Sequence, residues 1–135
     1  MTTVLKTCLA GIAILLLAAS VAAQKPASGP VPEYNLKEEV RLQGTVETIK
    51  EYECPISGTV GTHLVFNVDG KKYEVHVAPL KWLEEYGIHL KQGDSIILIG
   101  VKTTYRDLPA ILARGIEREN DVFFFRDKKG RPLWR

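Results

Sequence analysis

The chain contains very little cysteine. The 135 residues include two, Cys8 and Cys54. Cys8 lies in an N-terminal segment that we expect to be removed, which leaves one thiol and no internal disulfide. In an oxidising compartment, a lone thiol is a buried small side chain, a metal ligand or a site of pairing between chains.

The chain also lacks a large net charge of either sign. The chain has 18 basic and 16 acidic residues, a net charge of +2, and loss of Lys6 with the N-terminal segment leaves 17 against 16. Nucleic-acid binding requires a clustered basic face. The sequence therefore gives no strong case for a nucleic-acid partner.

Known catalytic signatures are absent as well. The sequence contains no GxSxG, HExxH, P-loop or dinucleotide-binding pattern, and a nucleophilic pair of Cys54 with a histidine would lack an orienting group beyond Glu74. There is also no CxxCH motif for covalent haem attachment. We therefore predict a protein without enzymatic activity.

Long apolar runs are limited to one near the N-terminus. Leu9 to Ala19 is apolar, follows Lys6 and precedes the small residues Val21-Ala22-Ala23. The run is too short to span a bilayer comfortably, so the pattern predicts a signal peptide cut before Gln24, with an uncleaved anchor as the alternative. We expect a periplasmic or secreted monomer with no membrane span after cleavage.

The sequence divides into three parts on this interpretation. Residues 1–23 are the signal peptide, residues 24–35 form a flexible linker rich in proline, serine and glycine, and residues 36–135 form one folded domain.

Within that domain, short alternating apolar segments predict strands. We predict a strand bent at Gly44, a hairpin, a short helix after Pro79 and two further strands. In residue numbers, the strands are 40–50, 63–68, 71–77, 95–101 and 109–117, the loops are 51–61 and 102–108, and a terminal hairpin or extension flanks residues 127–130. This order predicts a mainly β fold, a five-stranded OB-like barrel with one short helix between strands 3 and 4. A generic small β-barrel or sandwich is the alternative.

The hairpin places two histidines side by side. Asp69-Gly70 between alternating apolar residues is a strong turn signal, and a two-residue turn there makes His63 the partner of His76. Their Cβ atoms should then be roughly 4.5–5.5 Å apart. Both lie on the face opposite the core, which we expect to be half-exposed, and their mutual repulsion should lower their pKa values.

OB barrels bind ligands through this face and two adjoining loops. We therefore predict a ligand face comprising His63, Asn67, Glu74, His76, Tyr105 and Arg106. Cys54 falls in the first of the loops, and a thiol with two imidazoles suits copper or zinc. The metal site would consist of Cys54, His63 and His76. The alternatives are binding of another ligand and a structural role for the histidines.

Residues 38–135 resemble a group of exported bacterial OB-fold proteins of unassigned function, which includes the C-terminal domain of the magnetosome proteins MamS and MamX. The resemblance rests on five segments: Cys54-Pro55, Gly61-Thr62-His63-Leu64, Val75-His76-Val77-Ala78-Pro79, Gly93-Asp94 and Gly130-Arg131-Pro132-Leu133-Trp134. It implies an OB fold and an exported location. Haem-binding members carry paired-cysteine motifs that this chain lacks, so haem attachment is not implied.

Two alternatives to metal binding remain open. The aromatic C-terminal segment, with Phe123, Phe124, Phe125 and Trp134, could cover the barrel and present a surface to an envelope protein partner. Oligosaccharide or oligonucleotide binding on the predicted ligand face would use aromatic stacking.

Overall fold

The computed structural model describes residues 31–135. It shows six strands, one short α-helix and a single turn of 3-10 helix at Leu36–Glu38. The strands are β1 (Glu39–Cys54), β2 (Thr59–Val68), β3 (Lys71–Pro79), β4 (Ser95–Tyr105), β5 (Leu108–Arg118) and β6 (Asp121–Phe124), and helix α1 (Leu80–Glu85) lies between β3 and β4. The predicted signal peptide 1–23 and most of the predicted linker lie outside the described residues.

Five of the strands form a closed ring. They are ordered β3-β2-β1-β4-β5, all antiparallel neighbours, and a parallel pairing of β3 with β5 closes the ring. With a helix between the third and fourth strands, this is the topology of an OB barrel, and the predicted fold class is confirmed. The sixth strand, β6, pairs with β5 outside the ring.

Strand β1 belongs to both halves of the barrel because it changes partner near Gly44. Its first part pairs with β4 and its second part with β2. A Cβ atom at Gly44 would lie 2.3 Å from the carbonyl oxygen of Asn67. The predicted bend at this glycine therefore has a steric cause, since the backbone of β2 crosses where a side chain would stand.

The β2–β3 hairpin has the predicted turn and register. Asp69 and Gly70 both have positive φ angles, 50° and 87°, as a type I′ turn requires. The Cα partners run from Val68 with Lys71 to His63 with His76. Beyond this point a bulge between Thr62 and His63 shifts the register of the remaining pairs.

Two predicted loops proved to be mostly strand. The predicted loop 51–61 shrinks to four residues, because β1 continues to Cys54 and β2 begins at Thr59. The predicted loop 102–108 shrinks to Arg106 and Asp107, whose positive φ angles make another tight turn. Tyr105 is therefore the last residue of β4 and not a loop residue.

The core lies inside the ring and continues under the C-terminal segment. The residues of β2 and β3 predicted to face the core do so, and Phe66, Leu64 and Val75 are fully buried. Phe125 is fully buried in the same cluster, and Trp134 packs against it. An isolated bridge joins Arg126 to Pro132, so the C-terminal segment folds back over one end of the barrel.

The N-terminal approach to the barrel also makes contacts. Tyr34, within the predicted linker, donates a hydrogen bond of 2.5 Å to Glu39, which also accepts two hydrogen bonds from Arg114. Among residues 31–135, the one α-helix is far too short to cross a bilayer.

Candidate metal centre

Three consecutive strands bring Cys54, His63 and His76 together. Cys54 ends β1, His63 lies in β2, and His76 is its partner in β3. The Cys54 Sγ atom is 3.5 Å from His76 Nδ1, and the two imidazole rings meet edge to face with their centroids 4.7 Å apart. One ligand atom from each of the three residues lies within 4.8 Å of the others.

All three side chains are buried, which corrects the expectation that the histidine face is half-exposed. The exposed fractions are 1% for His63, 5% for His76 and 3% for Cys54. Two tyrosines cover the imidazoles: Tyr52 stacks flat on His63 at 3.8 Å, and Tyr105 meets His76 edge to face at 4.8 Å. Both tyrosines lie in the parts of β1 and β4 that had been predicted as loops.

Burial also controls the protonation of the histidines. It lowers the pKa of His63 and the pKa of His76 to about 4, because the charged form loses its hydration. The neighbouring His63 lowers the pKa of His76 further. The direction of both shifts agrees with the prediction, but the cause differs, because burial is the main cause for both pKa values and repulsion between the rings contributes for His76 alone. At neutral pH both imidazoles are uncharged, the form that binds metals.

Each histidine has a ring nitrogen without a partner. Among the described residues, no hydrogen bond reaches His63 Nδ1 or His76 Nε2, although both atoms are buried. Buried polar atoms are nearly always paired, because the water they lose must be replaced. An ion held between the rings would supply the missing interaction.

A small cavity adjoins the three side chains. A cavity of about 10 Å³, lined by all three residues, lies beside them, roughly the room that one water needs. Gly61 keeps it open, since a Cβ there would lie 3.2 Å from both Cys54 Cβ and His63 Cε1.

The ligand spacing also comes close to that of a metal site. Atoms no more than 4.8 Å apart have a point within about 2.8 Å of all three. Zinc–nitrogen and zinc–sulfur bonds are roughly 2.0–2.3 Å. Shifts of less than about 1 Å in the side chains would therefore complete the coordination.

The other predicted face residues have different positions. The carboxylate of Glu74 accepts a hydrogen bond from the Tyr52 hydroxyl, which holds the ring that covers His63. Tyr105 lies against His76, and the Arg106 guanidinium is 5.1 Å from the Tyr105 ring. Asn67 instead holds the hairpin turn, accepting a 2.8 Å hydrogen bond from the backbone of Gly70.

Among the cavity residues that were not predicted for the site, three have a buried polar side-chain atom without a hydrogen-bond partner in the described part of the chain. They are Thr62 of β2 and the C-terminal residues Arg126 and Trp134. Arg126 and Trp134 arrive there because the C-terminal segment folds back; the sequence predicted a terminal hairpin and a covering role for Trp134, but not a place for either residue in this cavity. Thr62 was among the residues that carried the family resemblance, but without a role.

Comparison with known proteins identifies one family. The model of the MamS/MamX magnetosome protein family matches residues 38–123, a range that contains Cys54, His63 and His76. No curated protein sequence matches the chain.

A solved structure with a similar backbone is a chain in the crystal structure of the Stn1-ten1 complex of S. pombe. It is 16% identical in sequence, with a TM-score of 0.47. The alignment covers 62% of this chain and 59% of that one.

Proposed function

The chain belongs to the MamS/MamX magnetosome protein family, and we propose that it is an exported OB-fold binding module that holds one copper or zinc ion between Cys54, His63 and His76. One observation carries the proposal. Two buried imidazoles, each with an unpaired ring nitrogen, lie with a buried thiol around a cavity of atomic size. Coordination of an ion would compensate these nitrogens, which have no hydrogen-bond partner among residues 31–135.

The donor set favours copper or zinc over harder cations. A thiolate and two neutral imidazoles are soft and borderline ligands, whereas magnesium and calcium prefer oxygen. The ion would also stabilise the thiolate in this buried place, since a coordinated thiol loses its proton.

A second layer of contacts supports the histidine orientation. Tyr52 stacks on His63 while its hydroxyl donates to Glu74. Burial and this hydrogen bond raise the pKa of Tyr52, so it remains a neutral donor. Fixed outer contacts of this kind orient metal ligands in many proteins.

We propose binding without catalysis. Cys54 and His76 are close enough to interact, but the thiol is 3% exposed and the tyrosines cover the imidazoles. A substrate would need to displace this cover before it could reach the sulfur. The N-terminal apolar run supports export to the periplasm or beyond, as part of the same proposal.

Calorimetric titration of the chelator-treated protein tests the proposal. We expect copper(I), copper(II) or zinc to bind one per chain, and both Cys54→Ser and the double variant His63→Gln/His76→Gln to weaken binding by at least about tenfold. His89→Gln is the matched control, because His89 is exposed and was not predicted to bind. Absence of saturable binding in the wild type, or equal affinity in the ligand variants, would contradict the proposal.

A second candidate function is docking of an envelope protein. Tyr86, Val122, Phe124 and Leu133 are large apolar residues that are between 45% and 63% exposed, and they line a common groove with Trp82 and Phe123. Exposed apolar grooves often bind partners. The double variant Val122→Ser/Phe124→Ser should abolish recovery of a partner in pull-down assays, while leaving metal binding unchanged.

Stacking of sugars or bases has less support. The rings of Tyr52 and Tyr105, which would supply the platform, already contact the two histidines. Oligonucleotides and oligosaccharides are therefore not expected to quench tyrosine or tryptophan emission.

A further inference from the structure

The cavity beside the candidate ligands is also lined by hydrogen-bond donors. Thr62 Oγ1, Arg126 Nε and Trp134 Nε1 are buried and have no hydrogen-bond partner among the described residues. All three side chains line the same cavity as Cys54 and the histidines. The cavity is therefore lined both by electron-pair donors and by proton donors, and we call Thr62, Arg126 and Trp134 the donor wall.

Arg126 makes this wall positively charged. It is 8% exposed and a guanidinium does not lose its proton in proteins. Its Nη1 donates to the carbonyl oxygen of Gly130 at 3.0 Å, and the rings of Tyr34 and Trp134 lie 5.3 and 5.4 Å from its central carbon. None of the ion pairs found among residues 31–135 includes it. A buried cation without a counterion is costly, so the wall is suited to an anion.

Three protein ligands also leave a metal ion incomplete. Zinc is usually four-coordinate, and sites with three protein ligands hold an exchangeable group in the fourth position. With one thiolate and two neutral imidazoles, a divalent ion retains a net positive charge. An anion placed between the ion and Arg126 would therefore be attracted from both sides.

We infer that the metal site keeps its fourth position open towards Thr62, Arg126 and Trp134, and that this position binds a small monovalent anion. The inference rests on the proposed function, because the anion bridges the ion and the donor wall. The cavity of about 10 Å³ has roughly the room that one water needs, so it suits only a small anion such as chloride, or azide bound through one terminal nitrogen. Hydrogen bonds from N–H groups to a charged acceptor are stronger than those to a neutral one.

Cobalt(II) makes both binding events visible, because its absorption bands change with its ligands. The full protein would be loaded with cobalt(II) and titrated with sodium azide at constant ionic strength, with chloride as a second probe. We expect a saturable spectral change in the wild type. Arg126→Gln should weaken azide binding by at least about tenfold, with cobalt affinity changed by less than about threefold.

Two further variants keep the experiment decisive. Arg131→Gln is the control, because Arg131 is an exposed arginine that pairs with Asp127, and it should bind azide like the wild type. If Arg126→Gln does not fold, Trp134→Phe removes the indole N–H donor while it keeps an aromatic ring at this position, and it should weaken azide binding more modestly.

The outcomes separate the two proposals. A protein that binds no cobalt, zinc or copper overturns the proposed function and this inference with it. A protein that binds cobalt but shows no azide response, or shows the same azide affinity in Arg126→Gln and Trp134→Phe as in the wild type, overturns this inference alone.

Discussion

Acidification should destabilise the metal-free protein through its two buried histidines. Burial lowers the pKa values of His63 and His76 to about 4 in the folded protein, whereas an unfolded histidine titrates near about 6.5. As the pH falls through the pKa of the unfolded histidines, the unfolded chain binds protons that the folded chain does not bind. The stability contribution is therefore full above about pH 6.5 and is lost as pH falls towards about 4.

The pKa values set the size of the effect. Between pH 7 and pH 5, each histidine should lower the free energy of unfolding by about 2 kcal/mol, and the pair by about 4 kcal/mol. A domain of this size is typically stable by about 5–15 kcal/mol, so the loss is a large part of the total. Carboxylates with lowered pKa values, such as Glu39 and Asp127, should contribute mainly at lower pH.

Urea unfolding in the presence of a chelator measures this loss. Trp82 and Trp134 both pack against the core, so their fluorescence reports on unfolding. The wild type and His89→Gln should show the full loss between pH 7 and pH 5, and His63→Gln/His76→Gln should show little of it. A wild-type loss below about 1 kcal/mol, or the same loss in the double variant, would refute the assignment to these histidines.

Three further substitutions test the geometry. Gly61→Ala places a methyl group in the cavity and should weaken zinc binding by at least about tenfold in calorimetry, with an unchanged circular dichroism spectrum; unchanged affinity would place the ion elsewhere. Gly44→Ala should lower the free energy of unfolding, measured with urea, by about 3 kcal/mol, because its Cβ would lie 2.3 Å from the Asn67 carbonyl oxygen. A loss below about 1 kcal/mol would argue against this close crossing. Arg114→Gln breaks a two-bond pair with Glu39, in which both side chains are about one fifth exposed, and should cost about 2 kcal/mol; a neutral result in the same assay would show that the pair adds little.

Short-range signals in the sequence were enough for the hairpin and for the order of the elements. Asp69-Gly70 determines the turn, and the alternation on either side fixes the register that pairs His63 with His76. Gly44 indicated the bend in the first strand, because a glycine inside an alternating segment marks a close approach. The barrel topology follows from this order of strands and helix.

The burial of the site could not be predicted in this way. Residues 51–53 and 102–104 are largely polar or β-branched without a clear apolar alternation, so they were assigned to loops. They form strand because long neighbouring strands supply backbone partners, which is a tertiary effect. The extended strands place Tyr52 and Tyr105 against the histidines. The face that was expected to be half-exposed is therefore buried.

The position of Arg126 in the cavity could not be predicted for a similar reason. Its position depends on the turn at residues 127–130 and on the bridge to Pro132. These contacts bring the C-terminal segment to a cavity whose other residues are distant in the sequence, and local patterns do not report on such long-range contacts. The sequence therefore predicted that Cys54, His63 and His76 lie together, but not that Arg126 lines the same cavity.

The order of the ligands along the chain has a consequence for folding. Cys54, His63 and His76 belong to three successive strands joined by short turns, whereas ring closure pairs Glu74–His76 of β3 with residues 110–112 of β5. Contacts between nearby residues have the lower entropic cost and form sooner. An ion bound by the three ligands would link β1, β2 and β3 before the barrel closes, and metal supply would then affect how fast the protein folds as well as how stable it is.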